Sequence, residues 1–202
     1  MPGFADLHRM AMLLLAERAP DAADILVLGA GGGLELKAFA HAQPSWRFVG
    51  VDPAPEMLDL ARDLLGPDMA RIRLVQGLID DAPPGLFDGA ACLLTLHFLP
   101  ETERLRTLRE LRRRLAPGAP LVIAHHSAPG NGDAARWLAR SAAFANRAAI
   151  DSEQASASGA AMLQRIPVLS PEEDEALLAR AGFSDIALFY AGFSFRGWVA
   201  AA

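Results

Sequence analysis

The chain is poor in several features that would mark a more specialised protein. It has one cysteine in 202 residues, which excludes an internal disulfide. Cys92 sits among Ala90, Ala91, Leu93 and Leu94, and reads as a buried thiol compatible with a reducing compartment. Positive charge is scarce: 19 Lys and Arg face 24 Asp and Glu, a formal net charge of −5. That balance lacks the electrostatic footprint of a nucleic-acid partner. No apolar run approaches the length that spans a bilayer, so no membrane association is expected. Met10 to Ala16 is apolar but short and follows Asp6, His8 and Arg9, unlike a secretory leader; the expectation is a cytoplasmic protein. Repeats and low-complexity tracts are missing too, although Ala155 to Ala161 is small and weakly patterned. His125 and His126 point to opposite sides of an extended chain, with no carboxylate or cysteine at ligand spacing, so no metal is expected. The nearest approach to a hydrolase nucleophile elbow, Gly192-Phe193-Ser194-Phe195-Arg196, lacks its final glycine.

What is present is a hydrophobic fraction of 52% with 21% charged residues, enough for one domain with a sheet buried on both faces. The stretch Ile25 to Asp52 organises it. Ile25 to Leu28 is a short apolar run, as a doubly buried strand should be. Gly29, Gly31 and Gly33 follow where the backbone must turn and approach a ligand. Leu34 to Ala42 is helical and aims its free N–H groups at that ligand. A second apolar run from Trp46 ends at Asp52, at the distance expected for a ribose-binding carboxylate. A dinucleotide fingerprint would place Gly or Ala at position 34, which is Leu34.

The spacing Gly29-x-Gly31-x-Gly33 instead resembles motif I of the class I S-adenosylmethionine (SAM) methyltransferases, and the resemblance runs to the end of the chain. Val51-Asp52-Pro53-x-x-Glu56-Met57-Leu58 is similar to the segment after the family's second strand, and Gln76-Gly77-Leu78-Ile79 to the loop that wraps adenine. Leu94-Thr95-Leu96-His97 is similar to motif IV, and Leu115-Ala116-Pro117-Gly118 to the landmark before the fifth strand. The resemblance implies an α/β, Rossmann-like fold over residues 1–202: a seven-stranded, mostly parallel sheet with an antiparallel last strand and helices on both faces. It implies SAM as cofactor, S-adenosylhomocysteine as product, and methyl transfer to O, N or S of a small-molecule acceptor. Gly29, Ala30, Gly31 and Gly33 would shape the methionine pocket and Asp52 with Pro53 the ribose site. Met57, Gly77, Leu78 and Ile79 would border adenine, and Leu94 and Thr95 would face the methyl group. A non-catalytic SAM-binding module and a carboxy-SAM synthase-like enzyme stay open as alternatives, and so does a homodimer.

Several residues keep two readings. Met57 is either an adenine contact or core. Asp80 is a loop carboxylate or an adenine partner. His97 is a general base or a satisfied, partly buried histidine. Residues 1–20 contain a helix that either packs or acts as a lid, with Phe4, His8 and Arg9 facing the acceptor. Residues 129–170 form a helical insertion expected to build the acceptor pocket with Trp137, Phe144 and Arg147. Glu101 to Leu115 is an amphipathic helix whose arginines read as a solvated face with pairs such as Glu110 to Arg114.

Within the class, Pro2-Gly3-Phe4, Leu96-x-Phe98-Leu99 and Met162-Leu163 resemble carboxy-SAM synthases. Two departures stand out. The family's acidic residue two positions before the first glycine is Val27, for which Glu35 is the nearby substitute. The arginine that would hold the cofactor's extra carboxylate falls at Ala160, which cannot pair with an anion. Plain SAM is therefore expected.

Overall fold

The computed structural model describes residues 3–130, 133–146 and 151–202. Its strands are β1 (Asp24–Leu28), β2 (Arg47–Asp52), β3 (Ile72–Gln76), β4 (Gly89–Leu93), β5 (Pro120–His126), β6 (Ser184–Gly192) and β7 (Phe195–Ala201). They form one sheet in the order β3-β2-β1-β4-β5-β7-β6. The first five run parallel, and β7 lies antiparallel to both β5 and β6. The expected architecture is therefore present.

Side-chain alternation along the strands decides which helices cover which face. Ile25, Val27, Ala91, Leu93, Val122 and Ala124 pack toward α1 (Phe4–Ala16), α2 (Leu34–Ala42) and α3 (Pro55–Leu65). Leu26, Leu28, Ala90, Cys92, Leu121 and Ile123 pack toward α4 (Glu101–Arg113) and α7 (Pro171–Ala181). Cys92 is fully buried, as its apolar neighbours imply. Ser170 caps α7 with the expected box, its hydroxyl accepting from Glu173 N–H at 3.2 Å.

Three local readings need correction. The weakly patterned run is part of a twelve-residue helix, α6 (Ser152–Leu163), paired with α5 (Ala134–Ala145). Its small residues serve close approach: a Cβ on Gly159 would lie 2.5 Å from the Ala135 carbonyl oxygen. The final hairpin turns at Phe193-Ser194, with Gly192 paired to Phe195, two residues later than Ala191-Gly192. Ser194 is held in this turn by His126 Nδ1 at 2.8 Å and Ser141 Oγ at 2.6 Å. Finally, the α4 arginines do not all lie on a solvated face. Arg106 is exposed, but Arg104 is 1% exposed and bonded to Asp174 Oδ1 at 2.7 Å. Arg114 is buried beside Glu110, its expected partner. The first turn of α7 covers Arg104 by way of Asp174, which no spacing within α4 reveals.

Candidate active site

The chain moves outward from β1 to β3, then returns to place β4 on the other side of β1. Open α/β sheets bind ligands at such a switch point, beyond the carboxyl ends of the strands. Here a cavity of ≈ 620 Å³ opens at that place, a size suited to a small-molecule cofactor.

Gly29 begins its wall with a φ of +77°, and a Cβ there would overlap the Thr95 side chain at the end of β4. Glycine alone lets these two strand ends meet. The N–H groups of Gly29 and Ala30 donate to the Val51 carbonyl at 2.8 and 3.0 Å, tying the loop to β2. Gly31 N–H donates to Asp52 Oδ2 at 2.8 Å, and Ala54 N–H to Asp52 Oδ1 at 3.0 Å. Two backbone donors from different loops thus fix the Asp52 carboxylate, which retains acceptor capacity on the cavity side. Gly33 has another task. It caps α2, lies off the cavity wall, and would place a Cβ 3.0 Å from that of Ala61 on α3.

Pro53 and Met57 line the cavity beside Asp52, and Gly77, Leu78 and Ile79 line its next edge. Gly77 N–H donates to the Asp52 carbonyl at 3.0 Å, while Leu78 N–H donates to Asp81 Oδ2 at 2.8 Å. Asp80 is engaged elsewhere, accepting from Arg106 Nη1 at 3.0 and 2.8 Å. Leu94 and Thr95 form part of the lining at β4. Leu94 has a φ of +57°, a left-handed conformation that costs a non-glycine residue roughly 1–2 kcal/mol. Its N–H donates to the Ala124 carbonyl at 2.6 Å, which holds it there. Such strain concentrates at functional sites.

Phe4 and His8 on α1 reach the cavity with their rings 4.8 Å apart; Arg9 is exposed and off its wall. Burial pushes the His8 pKa down, so its imidazole stays neutral near pH 7. His97 is buried next to Phe98, ring centroids 4.3 Å apart; Phe98 lines the cavity and His97 does not. Its Nδ1 accepts a long hydrogen bond, 3.5 Å, from the His126 N–H. Burial first, then the nearby His126, His125 and Arg104, lowers its pKa to about 3.

The insertion does not reach this cavity among the described residues. Trp137 lies under the Arg140 guanidinium at 4.4 Å, and Phe144 packs against Phe193 in the β6–β7 turn, centroids 5.8 Å apart. Arg147 lies outside the described residues. The cavity instead takes Leu99, Glu103, Arg106 and Thr107 from α4 and the turn before it. In sequence α4 reads as an amphipathic helix with a solvated arginine face, which does not point to a cavity wall.

Glu35 also lines the cavity, from the first turn of α2, at only 7% exposure. Its Oε1 is buried without a hydrogen-bond partner. Burial, then the neighbouring Asp52, pushes its pKa well above the carboxylate range. Val27, by contrast, is fully buried in the core beneath α1 and α2.

The fold and cavity define an α/β domain with an open cleft across the carboxyl ends of its strands, the place where such sheets bind ligands. Residues 25–118 match the family described as a methyltransferase domain. A carboxy-S-adenosyl-L-methionine synthase from Chromohalobacter salexigens is 31% identical over 130 residues, 61% of this chain and 47% of that protein. A trans-aconitate 2-methyltransferase from Azoarcus sp. is 35% identical over 123 residues, 59% of this chain and 46% of that protein. Human N-acetylserotonin methyltransferase, solved in complex with SAM, superposes with a TM-score of 0.67 at 17% identity, over 96% of this chain and 51% of that one. Over the matched stretch this chain is thus similar to a methyltransferase domain and to the two sequence relatives, and over nearly its whole length it shares the fold of the SAM-bound structure. It spans about half the length of the two sequence relatives.

Proposed function

We propose that the protein binds SAM in the ≈ 620 Å³ cavity and transfers its methyl group to O, N or S of a small, uncharged acceptor. The observation that carries the reading is Asp52, a strand-end carboxylate aimed at the cavity and fixed by N–H groups of both adjoining loops. In this reading it accepts from the ribose hydroxyls, while Gly77 to Ile79 and Met57 enclose the adenine. When bound, SAM supplies an electrophilic methyl group on a sulfonium. The chain's own contribution is alignment and exclusion of water. His97, neutral and off the wall, serves as a positioning residue under Phe98, and no general base is assigned.

The acceptor class follows from charge. Among the described lining residues the one permanent cation is Arg106, already bound by Asp80 and Glu103. His8 is neutral near pH 7, and Glu35, Asp52 and Glu103 are acidic. An anionic acceptor, or the extra carboxylate of a carboxylated cofactor, would meet no free cationic side chain among the described lining residues. Ala160 on α6 supplies none. Phe4, Phe98 and Leu99 offer an apolar contact instead, with α1 as the lid. No described helix is long and apolar enough to cross a membrane, and we place the enzyme in the cytoplasm.

Calorimetric titration with SAM, S-adenosylhomocysteine, NAD and NADP tests the cofactor. Micromolar binding of the first two alone is expected, and Asp52→Ala should weaken it at least tenfold. Binding of NAD, or of none of the four, would overturn the reading.

A further inference from the structure

Glu35 is the one described carboxylate in the cavity that has a buried oxygen without a partner. Such a group is costly to keep unless something completes it. It is 7% exposed and lines the cavity beside Gly29, Gly31 and the end of β4. Asp52 lies in the same cavity but is already held by two N–H donors. The two carboxylates therefore have different tasks. A fixed acceptor suits hydroxyls, whereas an unpaired buried carboxyl suits a cation that brings its own donors.

Building on the SAM reading, we infer that Glu35 receives the ammonium group of the cofactor's methionine end, and that cofactor capture releases one proton to solvent. The proton balance is simple. In the free protein burial, then Asp52, favours the neutral carboxyl. On binding, it ionises against the ammonium, and its proton leaves to the buffer. The other titratable or charged groups around this cavity are His8 on α1, Asp52 on β2, and Glu103 and Arg106 on α4. The Cys92 thiol of β4 also feels Glu35, and burial keeps it protonated. His8 is neutral, and Arg106 is engaged by Asp80 and Glu103, so neither supplies Glu35 with a charge partner. Position 27 cannot help, because Val27 is fully buried in the core. Affinity should consequently rise with pH through the neutral range, as the proton becomes easier to release.

The test is calorimetry at pH 7.0 on the full chain, in phosphate and in Tris, which differ in ionisation enthalpy. The ligands are S-adenosylhomocysteine and methylthioadenosine, which lacks the amino-acid end. For S-adenosylhomocysteine the buffer difference should report a net release of protons, and for methylthioadenosine none. Glu35→Gln should abolish the release and weaken S-adenosylhomocysteine binding on the order of 10- to 100-fold. Its methylthioadenosine affinity should stay unchanged, which also verifies that the variant is folded. Equal S-adenosylhomocysteine affinity in Glu35→Gln, or no proton release by the unmodified protein, would overturn the Glu35 assignment alone. Failure of the unmodified protein to bind S-adenosylhomocysteine would overturn the cofactor reading and this inference with it.

Discussion

Glu35 and Asp174 are the same kind of group in the same local setting, with opposite outcomes. Both are carboxylates in the first turn of a helix, α2 and α7, at 7% and 2% exposure. Asp174 meets Arg104 at 2.7 Å and His125 at 3.1 Å. Burial would raise its pKa, but His125 and Arg104 outweigh that and leave it below the usual carboxylate range. Among the described residues no cation pairs with Glu35, and its pKa rises. A helix N-terminus favours a carboxylate in either case; what differs is the partner brought by the rest of the fold. The paired one holds β5, α4 and α7 together. The unpaired one faces a cavity.

The sharpest way to break this contrast is to remove each acid. Asp174→Ala should cost about 3–5 kcal/mol, because it leaves Arg104 buried and unpaired. Denaturant titration measures it, and a cost below ~1 kcal/mol would show that the pair is not structural. The histidines come next. Burial, then His125, lowers the pKa of His126 to about 4, as burial lowers that of His97 to about 3. Unfolded histidines take up protons below about pH 6.5, while these two resist. Their contribution is complete above that pH and is lost as pH falls toward 4. The slope should reach ~1.4 kcal/mol per pH unit for each group, read from denaturation midpoints across pH 4–7. His97→Phe with His126→Gln should flatten that slope.

Glu35→Gln should act in the opposite direction from Asp174→Ala. A raised carboxyl pKa costs stability as pH rises above the unfolded value near 4.5, so removing the acid should gain about 1 kcal/mol at pH 7. A higher thermal midpoint checks this, and a lower one would mean that Glu35 has a stabilising partner. The smallest effect belongs to Asp80→Ala. Its pair with Arg106 is 55% and 42% exposed, and such pairs contribute within ~1 kcal/mol. Two arginines two residues apart on α4 would thus separate by several kcal/mol.

Much of the cavity was legible because its ingredients lie close together in sequence. Strand, glycines, helix, strand and Asp52 form one continuous unit, and hydrogen bonds across the β1–β2 pair turn that order directly into a site. Gly77 and Leu94-Thr95 were legible as ends of further parallel strands. Leu94's backbone strain was not, because it comes from the Ala124 carbonyl on the neighbouring strand. Nor was the displacement of Trp137 and Phe144 from the cavity, since their periodicity marks an apolar helix face without naming what it meets.

The amino-acid order by itself therefore determined the parallel α/β sheet, its carboxyl-end glycine loop and the place of Asp52 at the end of the second strand. These rest on apolar periodicity, turn chemistry and short spacings, all local properties of a chain. Only the tertiary structure decided which buried charges are answered. Arg104 and Asp174 stand 70 residues apart in sequence, and nothing local distinguishes Arg104 from Arg106 or Asp174 from Glu35. Burial and partnership are properties of packed elements, so the division between a structural carboxylate and a ligand-seeking one appears only once α4, α7 and the sheet come together.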